Sequence, residues 1–525
     1  MTKLIFYGGI ATIGGNCVVL EDEKYRIMLD NGMCFSTEEN YFKTFLDARG
    51  GNDTRDFVSL ELIPAINGIY GKDVLTDVGF DLIEKEGQYL LKTDLDSYES
   101  YIKKSKTPFI EAIFISHAHI DHFRNLFFMH PNIPVYCSQI TYELLKITSE
   151  LSITDYLNYY YAELGNYGGG AYFPGAIKKE KQSIKRKFII MEPYKPYKIK
   201  NFTVTGYPID HSLVGGMAFQ IKTKDGKQIV YTGDIRFHGL KRERENSNHF
   251  VEEISNTATD ALICEGTKID SEKEIGEDDV FQVTLDHIKE DKEYKKKLIF
   301  VSFPWKNISR FLTVYRIAKE LKRTIAIQSK TAYLLHNLGK NETLEIKDIL
   351  HNNDIRIYFP RKRSMLYSKG DYINSKHCIS YDLNWEKKDG YKVNLYEDLY
   401  GDKILIKAYE INNHPEKYIV HLQFYDIIEL LDIRPPENSF YFIMKTEPYD
   451  EEGEIEKKIT ENWINRHKLN SISIHASGHA PGNDLLKLIK KINPEIIFPI
   501  HTEHPELFKM KKAIKDIVFG KPYEI

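Results

Sequence analysis

Three histidines and one aspartate fall within six residues, in the order His-x-His-x-Asp-His. They are His117, His119, Asp121 and His122. In an extended segment, side chains two residues apart point to the same side, so His117 and His119 can bind one metal ion. Asp121 and His122 lie at the predicted turn into a helix, from which they can reach a second ion. Imidazole and carboxylate ligands suit Zn²⁺, with Mn²⁺ as the alternative, and two adjacent ions assist in-line phosphoryl displacement.

Short apolar runs rich in β-branched residues end in a titratable residue at six places along the chain. The residues at these ends are His117, Asp210 with His211, Asp234, Glu265, His475 and His501. Continuous apolar runs are typical of strands that are buried on both faces. Polar groups at the ends of such strands tend to line a crevice at the sheet edge, where ligands bind. We therefore expect the six strands to deliver these side chains to one shared site.

The composition is typical of a globular protein. The 525 residues are 42% apolar and 28% charged, and this length predicts two domains or one domain that carries a large insertion. The net charge of −4 comes from 72 basic and 76 acidic residues. It excludes a polycation that coats nucleic acid without specificity, but it does not exclude a local basic groove.

The sequence predicts neither a membrane span nor a disulfide framework. Its apolar runs are far shorter than the roughly 20 residues that a bilayer requires. Residues 1–15 are typical of a strand and a turn rather than a signal peptide. The five cysteines are widely spread and form no Cys-x-x-Cys pair, which argues against disulfides and against a cysteine zinc site. We therefore predict a cytoplasmic protein whose cysteines are reduced and which makes no contact with a membrane.

The local pattern changes in the second half of the chain. A strand over Leu298–Phe303, a helix whose apolar face runs from Ile308 to Leu321, and a strand over Ile325–Gln328 form a predicted βα unit. After residue 467 the strands that end in titratable residues return. A helix is predicted to follow from Asn483 to Lys491.

The His-x-His-x-Asp-His segment resembles the first ligand motif of the metallo-β-lactamase superfamily, whose fold is an αββα sandwich. The rest of that pattern follows in order. His211, in DHSLVGG, matches the third histidine ligand of the first metal, and Asp234, in YTGD, matches the carboxylate that bridges the two metals. Asp30, in MLDNG, matches an aspartate that orients the ligands. A bridging aspartate, where true β-lactamases have cysteine, is typical of the hydrolase and nuclease branches.

Three later motifs resemble those of the β-CASP nucleases. Glu265 in CEGT matches motif A, His479 in HASGHA matches motif B, and His501 in PIHTEH matches motif C. The segment FPWKNISR is similar to one in RNase J-like and polyadenylation-factor-like prokaryotic nucleases. The resemblance implies an α/β fold, namely a metallo-β-lactamase αββα sandwich with an inserted α/β β-CASP domain. It divides the chain into residues 1–265, the inserted residues 266–466, and the returning residues 467–525.

The resemblance also implies roles for these residues. His117, His119 and His211 hold the first metal with Asp234. His501 completes the second metal site, whose other ligands are Asp121, His122 and Asp234. His479, supported by Glu265, donates a proton to the leaving oxygen. Asp121, His479 and Glu265 are thus the expected catalytic residues.

A phosphate-binding segment is predicted beside His479. The segment precedes the predicted helix start at Asn483, and backbone N–H groups at a helix N-terminus favour a phosphate. Its members are His475, Ser477, Gly478, His479 and Ala480. The basic stretches at 178–187, 295–297 and 361–363 are candidates for an RNA path, although charge runs are more often solvated surface.

Together these features predict a two-zinc ribonuclease that acts on single-stranded RNA through a hydroxide activated by two metals. We expect exonuclease action from 5′ to 3′, with endonuclease action as a second activity, in RNA processing or decay. RNA is preferred over DNA because motif C is His501, where DNA nucleases of the group usually have valine. The alternatives are a DNA nuclease of the same fold, a metallo-hydrolase of thioesters or lactones, and a scaffold without activity. The oligomeric state is left open, with a homodimer as one option.

Overall fold

The computed structural model describes most of the chain. It covers residues 1–42, 46, 48, 53–75, 94–152, 154–161, 182–362, 364–367, 400–448, 451–510 and 512–525. Cys378, Arg363 and residues 178–181, which the sequence singles out, lie outside these ranges.

Within these ranges the strands form three large sheets and one hairpin, β6–β7. The strands are β1 Thr2–Gly8, β2 Cys17–Asp22, β3 Tyr25–Leu29, β4 Ala112–Phe114, β5 Val135–Ser138, β6 Asn158–Tyr161, β7 Gln182–Lys185, β8 Phe188–Met191, β9 Pro196–Ile199, β10 Phe202–Pro208, β11 Met217–Lys222, β12 Gln228–Tyr231, β13 Ala261–Glu265, β14 Ile299–Ser302, β15 Thr324–Ile327, β16 Ile355–Tyr358, β17 Leu405–Ile406, β18 Tyr418–His421, β19 Phe440–Ile443, β20 Asn470–Ser473, β21 Ile496–Ile500 and β22 Pro522–Glu524.

Helices connect and cover the sheets. They are α1 Phe35–Glu38, α2 Asp53–Ser59, α3 Tyr98–Ser105, α4 Ile120–Phe123, α5 Gln139–Leu151, α6 Lys241–Ser255, α7 Glu277–Glu290, α8 Ile308–Leu321, α9 Ser329–Leu338, α10 Ala408–Asn413, α11 Leu430–Ile433, α12 Glu451–Arg466 and α13 Gly482–Ile492. Short 3₁₀ helices cover Arg124–Phe127, Tyr294–Lys296, Ile349–His351, Asp402–Ile404, Pro415–Lys417, Phe424–Glu429 and Pro505–Leu507. Among the helices that the structure describes, none combines the length and apolar character needed to cross a bilayer.

The first two sheets face each other and form a sandwich. Their strand orders are β22–β1–β2–β3–β4–β5–β8 and β21–β13–β12–β11–β10–β9. Between them the rings of Phe6 and Phe498 lie 5.1 Å apart, and those of Phe114 and Phe219 lie 5.7 Å apart. Helices α6 and α13 cover the outer side of the second sheet, and α2 and α5 cover that of the first. This αββα arrangement confirms the predicted fold class.

The third sheet forms a separate α/β layer. Its order is β17–β16–β15–β18–β14–β19–β20, and its neighbouring strands pair in parallel. Helices α7, α8 and α9 pack on one side and α10, α11 and α12 on the other. The predicted βα unit is confirmed as β14, α8 and β15, and α8 begins where the Asn307 side chain accepts a 2.9 Å hydrogen bond from the Arg310 amide. β20 belongs to this sheet, although it lies after the predicted boundary at 466/467. The domain boundaries at 265/266 and 466/467 stay a prediction.

Parallel pairing brings the chemically important strand ends together. β13 pairs in parallel with both β12 and β21, and Glu265 lies opposite Ile500. Because the carboxyl ends of parallel strands meet at one edge, Asp234, Glu265 and His501 reach the same edge of the second sheet. β3 and β4 also pair in parallel, which places Asp30 beside the segment that follows β4.

Replacing Phe219 with alanine should destabilise the sandwich. The ring is fully buried between the two sheets, so its loss leaves a cavity as well as removing apolar contacts. We expect the free energy of unfolding, measured by urea titration, to fall by about 3–5 kcal/mol. Phe519→Ala is the control, because Phe519 is 56% exposed; its effect should stay within about 0.5 kcal/mol. Equal effects of the two substitutions would contradict this view of the core.

Candidate metal centre

Three imidazoles and one carboxylate converge in the first half of the site. The Nε2 atoms of His117 and His211 each lie 2.9 Å from Nδ1 of His119. Oδ2 of Asp234 lies 3.6 Å from Nε2 of His117 and 3.9 Å from Nε2 of His211. Each group offers one ligand atom, all within 4.8 Å of one another. Nitrogen and oxygen donors in this number suit Zn²⁺.

A second group of ligand atoms shares Asp234 with the first. Nε2 of His501 lies 3.1 Å from Oδ2 of Asp121, and Nε2 of His122 lies 3.1 Å from Oδ2 of Asp234. Oδ2 of Asp234 is also 3.8 Å from Nε2 of His501. These four residues form a second candidate group within the same 4.8 Å limit. The structure therefore brings all seven predicted ligands into two groups joined by one carboxylate.

Outer hydrogen bonds fix which ring nitrogen faces the site. Nδ1 of His211 lies 2.6 Å from the carbonyl oxygen of Gly478, which can only accept, so Nδ1 carries the proton. In the same way Nδ1 of His122 donates to Oδ2 of Asp30 at 2.7 Å. In the neutral ring, Nε2 of each histidine is then a free lone pair directed into the site. That is the form of imidazole that binds a metal.

The same arrangement holds for His501. Its Nδ1 lies 2.7 Å from Oγ1 of Thr267, and this hydroxyl donates in turn to Oε2 of Glu265 at 2.8 Å. The hydroxyl proton is thus used toward Glu265, so Thr267 accepts from Nδ1 of His501. Nε2 of His501 is again left as a lone pair that faces Asp121.

Two polar atoms at the centre of the site make no well-formed hydrogen bond within the described part of the chain, although Nε2 of His122 lies 3.1 Å from Oδ2 of Asp234. Nε2 of His122 and Oδ1 of Asp234 are buried and make no hydrogen bond to any residue that the structure describes. An unsatisfied buried acceptor costs about 1–3 kcal/mol. A cation among these groups would satisfy both atoms at once. The donor set and its orphaned acceptors therefore fit a metal cofactor.

Asp30 holds the first ligand segment in place. Its Oδ1 accepts from the backbone N–H of Ser116 at 2.7 Å, and its Oδ2 accepts from Oγ of Ser116 and Nδ1 of His122, each at 2.7 Å. Oδ2 also accepts from the Tyr231 hydroxyl at 2.5 Å. Asp30 has a left-handed backbone, with φ of 54°, a conformation that non-glycine residues tolerate only when their surroundings enforce it. Asp30 thus orients His122 without facing the metal groups itself.

The turn after Asp30 is locked against the same segment. The backbone N–H of Asn31 donates to the carbonyl of His122 at 2.8 Å. A Cβ atom at Gly32 would lie 1.5 Å from the backbone oxygen of Asp121, so only glycine allows this close approach. The MLDNG and His-x-His-x-Asp-His segments therefore form one interlocked unit.

Electrostatics divides the histidines into two kinds. Burial lowers the pKa of His119 to about 4 and the pKa values of His117 and His211 well below the usual value, helped by neighbouring imidazoles. These rings are neutral near pH 7 and ready to bind a metal. By contrast, burial would lower the pKa of His122, but Asp234, Asp121 and Asp30 outweigh it and raise that pKa. The carboxylates thus favour positive charge where a second cation would sit.

His479 and Glu265 form a pair beside the metal ligands. Nδ1 of His479 lies 2.9 Å from Oε2 of Glu265 and 3.9 Å from Oδ2 of Asp234. Burial alone would lower the pKa of His479, but Glu265 and Asp234 outweigh it and raise that pKa to about 9. Glu265 itself is held by the amide of Ile235 at 2.7 Å and by Thr267. The structure thus places an imidazole with a raised pKa next to the metal groups.

The predicted phosphate-binding segment lies in the turn that leads into α13. The amide of His479 donates to Oγ of Ser477 at 3.1 Å, and the amide of Ala480 donates to the carbonyl of Ile235 at 2.8 Å. Helix α13 starts at Gly482, one residue earlier than predicted. His475 precedes this turn, and burial together with the positive charge of Arg310 lowers its pKa to about 3. The phosphate-binding role of these residues stays a prediction.

The basic stretches hold several cations that already have acidic partners. Lys296 pairs with Glu293 at 3.1 Å, Lys297 pairs with Asp291, and Arg361 pairs with Asp432. An RNA path along these stretches therefore stays a prediction.

Several residues that support the site were missed at the level of sequence. Ser116, Tyr231 and Thr267 hold the carboxylates and imidazoles described above. Thr267 could have been found from its place two residues after Glu265, on the same turn. Arg310 gave a fainter signal, because it is a charge between apolar residues at the start of a predicted helix.

Comparisons with known proteins agree with this geometry. A family model described as the Zn-dependent metallo-hydrolase RNA specificity domain matches residues 468–522, which include His479 and His501. Ribonuclease J of Mycoplasma genitalium is 20% identical, over 98% of this chain and 70% of that protein. Ribonuclease J of Mycoplasma pneumoniae is 21% identical, over the same shares of the two chains.

The chain is similar to ribonuclease J and resembles the metallo-β-lactamase β-CASP group that its motifs predict. A solved structure of an Enterococcus faecalis V583 protein of unknown function shares the fold, with a TM-score of 0.66 and 20% identity over 99% of both chains. The family model and the ribonuclease J relatives confirm the predicted family resemblance.

Replacing Asp30 with asparagine should weaken metal binding. Asparagine lacks the charge that fixes the Nδ1 proton of His122, so Nε2 becomes a poorer ligand. We expect the apparent metal affinity, measured by competition with a chelator, to fall by roughly 10–100-fold. Asp260→Asn is the control, because Asp260 pairs with Lys227 at 2.8 Å at the opposite end of β12. An unchanged affinity in a folded Asp30→Asn protein would argue against the orienting role.

Proposed function

We propose that the protein is a metal-dependent ribonuclease that hydrolyses phosphodiester bonds in single-stranded RNA. The observation that carries this proposal is the pair of ligand groups that share Asp234 and lie beside the His479–Glu265 pair. Two adjacent cation sites with a proton donor next to them suit displacement at phosphorus.

The finer proposal is a centre with two Zn²⁺ ions, with Mn²⁺ as the alternative. One ion would be held by His117, His119, His211 and Asp234, and the other by Asp121, His122, Asp234 and His501. When bound, two such cations supply the Lewis acidity that activates a water molecule and offset charge on the phosphate oxygens.

His479 is the residue that we propose to protonate the leaving 3′ oxygen. Its raised pKa keeps the ring charged near pH 7, and Glu265 fixes its orientation through Nδ1. Nε2, the other ring nitrogen, is then the atom that donates. Proton transfer to this oxygen leaves a 3′-hydroxyl on one product and a 5′-phosphate on the other.

The choice of RNA rests on three observations. The matching family model is described by RNA specificity and spans both His479 and His501. The relatives that align over almost the whole chain are named ribonuclease J. Motif C is a histidine, as in the RNA-acting members that the sequence resembles.

We also propose 5′-to-3′ exonuclease action, with internal cleavage as a second activity. This proposal rests on the resemblance of the HASGHA segment to the β-CASP nucleases.

The cellular setting is a further proposal. Cys17, Cys137 and Cys264 are free thiols in the core, and burial raises their pKa values. Such unpaired thiols suit a reducing compartment, so we propose that the enzyme works in the cytoplasm. The homodimer stays a prediction.

A cleavage assay with metal-loaded protein tests the activity. Its substrates are 5′-monophosphorylated, 5′-triphosphorylated and internally labelled single-stranded RNA, with matched DNA. We expect RNA to be cut and mononucleotides to be released from the 5′-monophosphorylated strand. Asp121→Ala should abolish cleavage, because it removes a ligand of the second group.

Other outcomes of that assay are equally informative. Discrete internal cuts alone would support the ribonuclease activity and contradict the proposed exonuclease action. Equal or better cleavage of DNA would overturn the substrate assignment. Protein that binds two metal ions per chain but cuts neither nucleic acid would reject the nuclease and direct attention to thioesters and lactones.

The pH dependence of kcat tests the proton donor. Activity that needs protonated His479 is present below the pKa of this residue and is lost as the pH rises through it. Since Glu265 raises that pKa, Glu265→Gln should move the alkaline limb of the kcat profile to lower pH. Asp260→Asn, far from the site, serves as the control and should leave the limb in place. If the alkaline limb of the kcat profile does not move in Glu265→Gln, a group other than His479 is the proton donor.

A further inference from the structure

Two arginines are completely buried between the second sheet and the helices of the third. Arg236 and Arg310 are each 0% exposed and are among the largest fully buried side chains that the structure describes. Arg236 follows β12, and Arg310 lies in the first turn of α8. Neither belongs to a ligand group or to the His479–Glu265 pair, so their burial requires another explanation.

Arg236 is surrounded by carboxylates from both parts of the molecule. Its Nε lies 2.7 Å from Oδ1 of Asp210, the residue before a metal ligand. Its other nitrogens lie 3.5 Å from Glu243 of α6 and 3.7 Å from Glu277 of α7. Its Nη1 also donates to the carbonyl of Ser477 at 3.1 Å.

Arg310 continues the network from the opposite side. It forms a two-pronged ion pair with Glu277, with Nε at 3.0 Å and Nη2 at 3.1 Å from the two carboxylate oxygens. Its Nη1 donates to the carbonyl of Met444 at 2.8 Å, and Nη2 donates to that of Ala476 at 3.4 Å. One guanidinium thus joins α7, the end of β19 and the segment that leads to His479.

The network ends on the backbone of the metal centre. The carbonyl of Ser477, which accepts a hydrogen bond from Arg236, also accepts one from Nε2 of His238 at 2.9 Å. The next residue, Gly478, accepts the 2.6 Å hydrogen bond that orients His211, and His479 follows it. A Cβ at Gly478 would lie 2.9 Å from Oγ of Ser212, so this loop is packed tightly against the ligand segment. A shift of the loop would therefore move both His211 and His479.

The energetics argue that the network serves geometry rather than stability. Buried ion pairs often contribute less to stability than apolar side chains of similar volume, because desolvation offsets their attraction. Burial would raise the pKa of Glu277, but Arg310 and Arg236 outweigh it and lower that pKa to about 2. The Glu277–Arg310 pair thus stays charged at neutral pH, and rigid two-pronged contacts can hold a loop in one position.

We propose that Arg310 is a positioning residue that couples the packing of α7 and α8 to the metal centre. Through Glu277 and Arg236, and through the carbonyl of Ala476, it sets the position of the loop Ser477–Ala480. The ligand His211 and the proton donor His479 then reach their working positions only when the third-sheet helices are docked. The role in turnover rests on the proposed function, whereas the effect on metal binding does not.

The test uses the full chain with Arg310→Lys. Lysine keeps a positive charge beside Glu277 but lacks the planar fork that reaches two carbonyls. The control is Arg316→Lys on the same helix, because Arg316 forms an exposed 3.0 Å pair with Asp278 of α7. Three quantities are measured for each protein: the apparent affinity for Zn²⁺ by chelator competition, kcat and KM on RNA, and Tm.

For Arg310→Lys we expect the Zn²⁺ affinity to fall about 10-fold or more, as for other residues that orient ligands. We also expect kcat to fall about 100-fold, the scale of a misplacement near 1 Å, with little change in KM. The control should match the parent in all three quantities. Folding is followed by circular dichroism, and values are expressed per folded molecule.

The proposal is overturned if Arg310→Lys folds and keeps the parent Zn²⁺ affinity, even if Tm falls, because a purely structural role changes Tm alone. If Arg310→Lys does not fold, Glu277→Gln decides in the same way, since glutamine preserves the shape of the side chain and removes the ion pair. If the protein cuts no RNA at all, the proposed function fails, and the Zn²⁺ affinities still decide the positioning role.

Discussion

The site depends on one buried carboxylate placed among five imidazoles. Oδ2 of Asp234 lies between 3.1 and 3.9 Å from the rings of His117, His122, His211, His479 and His501. A lone buried charge is costly, so Asp234 stays ionised only because positive partners or cations surround it. The strands that end nearby, the interlocked MLDNG turn and the outer hydrogen bonds all serve to hold these rings in that arrangement.

Much of this arrangement could be predicted from local sequence. Apolar runs that end in His117, Asp234, Glu265 and His501 are strands in the structure, and parallel pairing of β12, β13 and β21 takes three of these ends to one edge. The prediction worked because the strand pattern and its terminal residue lie within a few positions of each other. The ligand spacing at His117–His122 is equally local.

The parts that could not be predicted depend on distant partners. Arg310 meets Ala476, 166 residues away, and Arg236 meets Ser477, 241 residues away. A pattern of apolar and polar residues cannot show which carbonyl a guanidinium will reach. The local strands and ligand motifs could be predicted from the sequence, but the packing of the third sheet against the site could not.

The ligands of the second group lie far apart along the chain. His501 approaches Asp121 across 380 residues, and it comes from β21, which pairs with β13. During synthesis on the ribosome, the first six of the seven ligands are therefore made long before His501. A nascent chain at that stage has no complete second ligand group, so a metal ion there can meet all four ligands only after β21 has paired with β13.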